Sequence, residues 1–187
     1  MYKRQGFHTH VSQDTQNLIS KNGLLTASIS PIKNKTDRDY SMYTGAEYLI
    51  KKGILSTYIN YHDRNIIVHN THLQSNSIVT MYDTCREIRQ IQKKELINHL
   101  RKNKHQTNII CGDLNDDIHT VEHRDFLLQI PFSNFITNSQ KIETFPKHHK
   151  QLDYIIVSGE VQGQYFKDSV YTEKISDHEI LLLDCNI

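Results

Sequence analysis

Cysteine is scarce in this 187-residue chain: Cys85, Cys111 and Cys185 are widely spaced, with no CxxC pair. An odd, scattered set argues against a disulfide framework and points to a reducing compartment. An excess of one charge is lacking too, since 22 Lys and Arg against 21 Asp and Glu leave a formal net charge of +1. That excludes a polybasic tail or an acidic solvating tract, though not local patches. No apolar run reaches membrane length, the start MYKRQGFHTHVSQD has no apolar leader core, and no repeat, low-complexity tract or linker is visible. The expectation is a soluble protein, cytoplasmic by default, folded as one domain over 1–187 with residues 1–20 poorly defined.

Abundant Asn, Lys, Gln and His do not signal disorder here, because Ile, Leu, Val and Tyr recur in strand-like clusters. NGLLTASISPI, from Asn22, reads as a turn and an apolar strand that Pro31 ends. Residues 33–45 are charged, show no periodicity and read as a surface loop. GILSTYIN and NIIVHNTHL are two strands joined by YHDR, a hairpin. From 84 to 103 the period changes: Thr84 with Glu87 makes a capping box, and Ile88, Ile91, Leu96 and Leu100 follow one helical stripe. TNIICGD is a short buried strand, VEHRDFLLQI a short helix, and LDYIIVS, QYFKDSVYT and EILLLDC are three more strands. Strands that outnumber helices, with one long helix between strands, suit an α/β or α+β sandwich whose helices cover sheet faces.

Polar residues gather at the strand ends. His72 ends NIIVHNTHL, Asp113 and Asn115 end TNIICGDLN, Asp153 opens LDYIIVS, and SDH at 176–178 precedes EILLLDC. A single such residue is usually a turn former, but four strands carrying one each favour a shared polar site, because sheets align strand ends along one edge. Asp and Asn oxygens are hard ligands suited to Mg²⁺ or Mn²⁺, which bind substrate phosphate oxygens. His178, beside Asp177, offers an imidazole that titrates near neutrality, and Asp153 could hold its tautomer. His72 could donate to a phosphate oxygen or protonate a leaving group. The chemistry these residue types suit is metal-assisted attack of water on a phosphoester.

The ordered set NTHLQ, GDLN, LDYIIVS and SDH resembles the endonuclease/exonuclease/phosphatase superfamily, the deoxyribonuclease I-like phosphoesterases, over roughly residues 20–187. NGLLTASISPI, KKGILSTYI and the helix with Arg89, Gln92 and Leu96 resemble further parts of that family in the same order. The resemblance implies a four-layer sandwich, two packed mixed sheets flanked by helices. By motif it implies that Asp113 orients or deprotonates the attacking water, that Asn115 and His72 bind the phosphoryl group, and that Asp153 and His178 form an acid–imidazole pair. Asp177 and Asp113 would be the metal-side acids, with Mg²⁺ or Mn²⁺ as cofactor, and Asp116 and Asp117 only solvated turn residues.

Family members begin with a strand carrying an Asn, a helix, and a strand ending in a Gln-Glu pair whose Glu is the principal metal ligand. Neither motif precedes residue 22, so the chain resembles a member lacking its first β-α-β portion, with Asp14 or Glu47 as unsupported substitutes. SISPI also lacks the arginine often found before that proline. NTHLQ looks most like the neutral sphingomyelinase branch, which implies a phospholipid head group as substrate. A nuclease of the same superfamily, and an inactive binding module without the metal-binding Glu, are the alternatives. The near-neutral charge disfavours a sequence-independent nuclease, and no aromatic-rich hairpin for membrane docking and no protein partner is evident.

Other residues have plain readings. Most of the twelve histidines, including His8, His10, His148 and His149, lack zinc-ligand spacing and read as surface residues. Cys111 reads as core rather than nucleophile. Arg86, Arg89, Lys93, Lys94, Arg101, Lys102 and Lys104 read as the solvated face of the long helix.

Overall fold

Gly53–Tyr61 and Arg64–His72 form the expected antiparallel hairpin; they are β4 and β5, after the strands His8–Val11 (β1), Leu25–Ser28 (β2) and Ile32–Asp39 (β3). The turn places His62 and Asp63 at φ 47° and 64°, the left-handed pair that matches strand twist in a two-residue hairpin loop. The computed structural model describes residues 6–12, 22–48, 50–76, 81–103, 106–168 and 176–187. β3 overturns the surface-loop expectation for residues 33–45. It pairs antiparallel with β4 at the sheet edge, and all but one of its residues are exposed. With no buried face it has no period-two apolar signal, and its charges discourage pairing with another chain.

The long helix, α1, spans Tyr82–Leu100 and ends in a 3₁₀ turn over Arg101–Asn103. It starts two residues before Thr84, after Met81, which makes no side-chain cap, so the capping-box expectation fails and Thr84 and Glu87 lie inside the helix. Its buried stripe carries Cys85, Ile88, Leu96, Ile97 and Leu100, with Ile91 only half-buried. α1 crosses over from β5 to the parallel strand β6, Thr107–Asp113. The second helix, α2 (Val121–Gln129), is capped by Thr120, whose hydroxyl accepts from the His123 N–H.

Phe135–Ile136 (β7), missed in the sequence, and Asp153–Ser158 (β8) complete a six-stranded mixed sheet in the order β3-β4-β5-β6-β8-β7. Both helices pack on one face of it, where Ile54, Ile110, Tyr154 and Ile156 meet Leu96, Leu100 and Phe126 in one core. Cys111 in β6 is half-buried and burial pushes its thiol up to about 12, in keeping with a core residue rather than a nucleophile. Among the described residues the second sheet is present as two antiparallel ribbons. One is β1 with β2, and the other is Gln162–Asp168 (β9) with Ile180–Asn186 (β10). The ribbons dock on the six-stranded sheet through His10 Nδ1 to Thr57 Oγ1 (2.8 Å) and Tyr165 hydroxyl to Ile155 O (2.9 Å). The run 169–172 of QYFKDSVYT, Lys104 and Asp14 lie outside the described residues.

A polar chain runs through the helix-facing core. Ser56 Oγ meets His69 Nδ1 at 2.8 Å and His99 Nε2 at 2.9 Å, and His69 Nε2 meets Asn108 Oδ1 at 2.8 Å. Burial, the dominant cause, holds His69 down to about 4, and burial likewise lowers His99. The folded state therefore refuses a proton that the unfolded chain accepts near pH 6.5, so the stability this supplies is complete above about 6.5 and lost as pH falls toward 4. The site carboxyl Asp113, raised to about 7 by burial, runs the other way and offsets part of the effect. Thermal melts in chelator should show Tm falling between pH 7 and pH 4.5 by roughly several degrees, and less steeply in His69→Gln. An equal slope in the variant would assign the acid sensitivity to other groups.

Candidate active site

Strand register builds the site. The parallel pairing of β5 with β6 sets His72 opposite Asp113, and the antiparallel pairing of β6 with β8 sets Asp113 opposite Asp153. Three polar residues thus stand in one row across the ends of three adjacent strands. Gly112 permits this: at φ 130°, a Cβ there would lie 1.9 Å from Thr71 O, so any side chain would force β6 away from β5. His178 comes in from the segment before β10, which is fastened by the Glu179 N–H donating to Thr144 O at 2.8 Å. Its Nδ1 lies 2.7 Å from Asp153 Oδ2, and its ring leans on Phe145 with centres 4.8 Å apart. The structure therefore brings His72, Asp113, Asp153 and His178 together.

Asn115 joins them through an unusual backbone. It adopts φ 51°, its N–H donates to Asp113 Oδ1 at 2.7 Å, and its side-chain Nδ2 donates to Leu73 O at 2.9 Å and Asp113 Oδ2 at 3.1 Å. Among the described residues none donates to its amide oxygen. Asp177 lines the same cleft of about 580 Å³, together with Lys52, Arg89, Phe145, His148 and Lys150.

Lys52 was not legible as a site residue. It precedes β4 in KKGILSTYI, a segment legible only as a strand, yet its ammonium lies 2.8 Å from His72 Nε2 and 3.3 Å from Glu47 Oε1. Glu47, the suspected substitute metal ligand, is buried and occupied. Oε1 also accepts from the Ser75 N–H and hydroxyl, while Oε2 has no hydrogen-bond partner among the described residues.

Three further expectations are corrected. Asp116 is no solvated turn residue: it is buried, paired with Lys93, and accepts from Thr120 Oγ1 at 2.8 Å. Asp117 is partly buried, 3.7 Å from the Lys141 ammonium. The basic face of α1 is likewise divided. Arg89 and Lys93 are buried, Arg89 donating to Gln74 O and Asn76 Oδ1, while Arg86 pairs with Glu122 nearer the surface. His10, His69 and His123 are interior rather than surface histidines.

The environment separates the ionisable groups. Burial and then the neighbouring Asp153 push the Asp113 carboxyl up to about 7. The hydrogen bond to Asp153 raises His178 above the usual imidazole range. Burial, then the Lys52 ammonium, drives His72 down to about 4 and keeps that ring neutral. Asp113, Asp153 and His178 present ligand atoms within 4.8 Å of one another. Two carboxylates and an imidazole suit a divalent cation, and a cation there would relieve the crowding that raises Asp113.

No protein-family model matches the chain. Phospholipase C of Staphylococcus aureus is 29% identical over 171 residues, covering 81% of this chain and 51% of its own length, so the chain spans about half of that relative. A Staphylococcus aureus beta toxin variant solved with bound magnesium ions superposes with a TM-score of 0.68 at 23% identity, over 92% of this chain and 70% of that one. Sphingomyelinase C from Streptomyces griseocarneus gives 0.66 at 19%, over 87% and 68%. An endonuclease/exonuclease/phosphatase family protein from Leptotrichia buccalis gives 0.65 at 18%, over 97% and 72%. At these identities the superpositions establish the fold.

The Asp153–His178 contact makes a direct prediction. In metal-free protein the His178 ring, followed by NMR, should titrate above 6.5, and Asp153→Asn should bring it down toward or below that value. An unchanged titration in the variant would mean that the two side chains are not paired in solution.

Proposed function

This chain has the fold of the endonuclease/exonuclease/phosphatase superfamily, and we propose that it is a metal-dependent phosphodiester hydrolase. The observation that carries the reading is the row of His72, Asp113 and Asp153 across three strand ends, with His178 held 2.7 Å from Asp153. A turn-forming role would not require two carboxylates to share a partly buried site, because like charges in low dielectric repel.

Each residue has a distinct task. Asp113 accepts the proton of the attacking water, and its two hydrogen bonds from Asn115 fix its plane. The Lys52 ammonium binds a non-bridging phosphoryl oxygen, while Asn115, whose side-chain NH₂ is given to Leu73 O and Asp113 Oδ2, offers its amide oxygen to the second hydrogen of the attacking water. His178, whose proton the hydrogen bond to Asp153 holds more firmly, stabilises the charge that develops on phosphorus-bound oxygen. His72, neutral beside Lys52, orients that ammonium. Mg²⁺ or Mn²⁺, held by Asp113 with Asp153 or Asp177, would polarise the phosphoryl oxygen and neutralise its charge.

The substrate class we favour is a phospholipid head-group ester, supported by the NTHLQ context, by the near-neutral charge, and by the 29% identity to a phospholipase C. Sphingomyelin in micelles should be cleaved faster than plasmid DNA is nicked. A nicking rate that exceeds lipid cleavage and falls steeply with salt would reverse that assignment.

Hydrolysis of bis-p-nitrophenyl phosphate should depend on Mg²⁺ or Mn²⁺ and stop in excess EDTA. Asp113→Ala, Asp153→Ala and His178→Ala should each cost at least roughly a hundredfold in kcat, and Asp153→Ala/His178→Ala should cost little more than either alone. Full activity in EDTA would sink the metal mechanism, and additive losses would dissolve the proposed pair.

A further inference from the structure

An ion pair that no step of this chemistry uses stands in the wall of the cleft, where Asp116 is a lining residue. Lys93 is 3% exposed and Asp116 7%. The Lys93 ammonium donates to Asp116 Oδ2 and to Glu122 O at 3.1 Å, and lies 5.5 Å from the Phe126 ring centre. Asp116 Oδ1 accepts from the α2 cap Thr120 at 2.8 Å, and its backbone oxygen accepts from the Tyr154 hydroxyl of β8 at 2.8 Å. One loop residue is thereby tied to α1, α2 and β8 at once.

Stability alone is a poor reason for this arrangement. Stripping water from two charges costs about as much as their attraction returns, and apolar groups of similar shape commonly serve as well. The two helices are also joined outside by Arg86 and Glu122. The pair is informative for what it adjoins. Asn115 immediately precedes Asp116, and its left-handed φ of 51° is a conformation that non-glycine residues adopt at a cost. In that conformation its N–H and Nδ2 both reach the Asp113 carboxylate. On the other side, Leu114 is fixed by its N–H donating to Leu152 O at 2.8 Å. Asp116 is the fastening on the far side of the turn.

We infer that Lys93 and Asp116 are positioning residues: the buried pair holds the Asn115 turn in its left-handed form and, through it, aims the Asp113 carboxylate. The activity part of this inference rests on the phosphodiesterase reading above; the conformational part does not.

The decisive variant is Lys93→Met/Asp116→Asn. Methionine keeps the aliphatic stem, asparagine keeps Oδ1 for Thr120, and neither charge is left unpaired, so the fold is expected to persist. On bis-p-nitrophenyl phosphate with Mg²⁺, kcat should fall roughly ten- to a hundredfold while KM moves less than about threefold, the pattern of a misaimed group. Ile97→Val, one helical turn farther along α1 in the same core, should keep the parent kcat. The second readout needs no turnover. The Asn115 side-chain amide, assigned by its loss in Asn115→Gln, should be shifted and slow to exchange in the parent and should collapse to the positions of exposed amides in the double variant. Parent-like kcat with unmoved Asn115 signals overturns the inference. Unfolding of the double variant overturns it as well, by marking the pair as structural. If the parent cleaves no phosphodiester, the functional reading fails, and the Asn115 signals alone decide the positioning role.

Discussion

The parallel pairing of β5 with β6 is the constraint on which the site depends. Their register places His72 beside Asp113, and it survives at the strand ends only because Gly112 offers no Cβ against Thr71 O. The ladder continues past both strands, with the Leu73 N–H donating to Asp113 O at 2.9 Å. The backbone that carries the carboxylate is therefore as fixed as the sheet itself. A one-residue slip would send every one of these side chains to the opposite face, so the register that buries Ile67 and Ile110 also sets the polar row.

A sheet edge gathers polar residues without telling them apart; their surroundings do that. Asp113 is crowded by Asp153 and little solvated, so its carboxyl is raised to about 7. His178 receives Asp153 directly and holds its proton more firmly, whereas His72, against Lys52, gives its proton up. Neighbouring groups forced in opposite directions are the usual means by which a fold obtains an acid and a base at one pH.

α1 serves as more than a cover for the sheet. Its apolar stripe fills the core, and a polar stripe of Arg89, Gln92 and Lys93 beside it reaches three loops around the cleft. Arg89 and Gln92 satisfy Gln74 O, Met42 O and the Gln74 N–H, and Lys93 satisfies Asp116. Buried side chains of this kind are costly unless every donor finds an acceptor. Here the acceptors are loop carbonyls and a carboxylate, so the mouth of the cleft is ordered by the same helix that closes the core.

The elements whose pattern follows from burial were legible in the sequence. β4, β5, β6, β8 and α1 each have an apolar face, and apolar spacing records it. The motif residues His72, Asp113, Asn115, Asp153 and His178 could be chosen because four apolar strands each carried a polar residue at one end, in the order of the family's motifs, whereas one such residue would only mark a turn. β3 was not legible, because an edge strand exposed along nearly its whole length leaves no periodic trace. Nor were Lys52, Lys93 and the burial of Asp116. A lysine on a helix reads the same whether it faces water or a carboxylate brought up from 23 positions away. Local sequence thus determined which segments could form strands and helices and which polar groups stood at their ends. Only the tertiary structure decided which charges met, because pairing and desolvation are set by distant segments that no local pattern encodes.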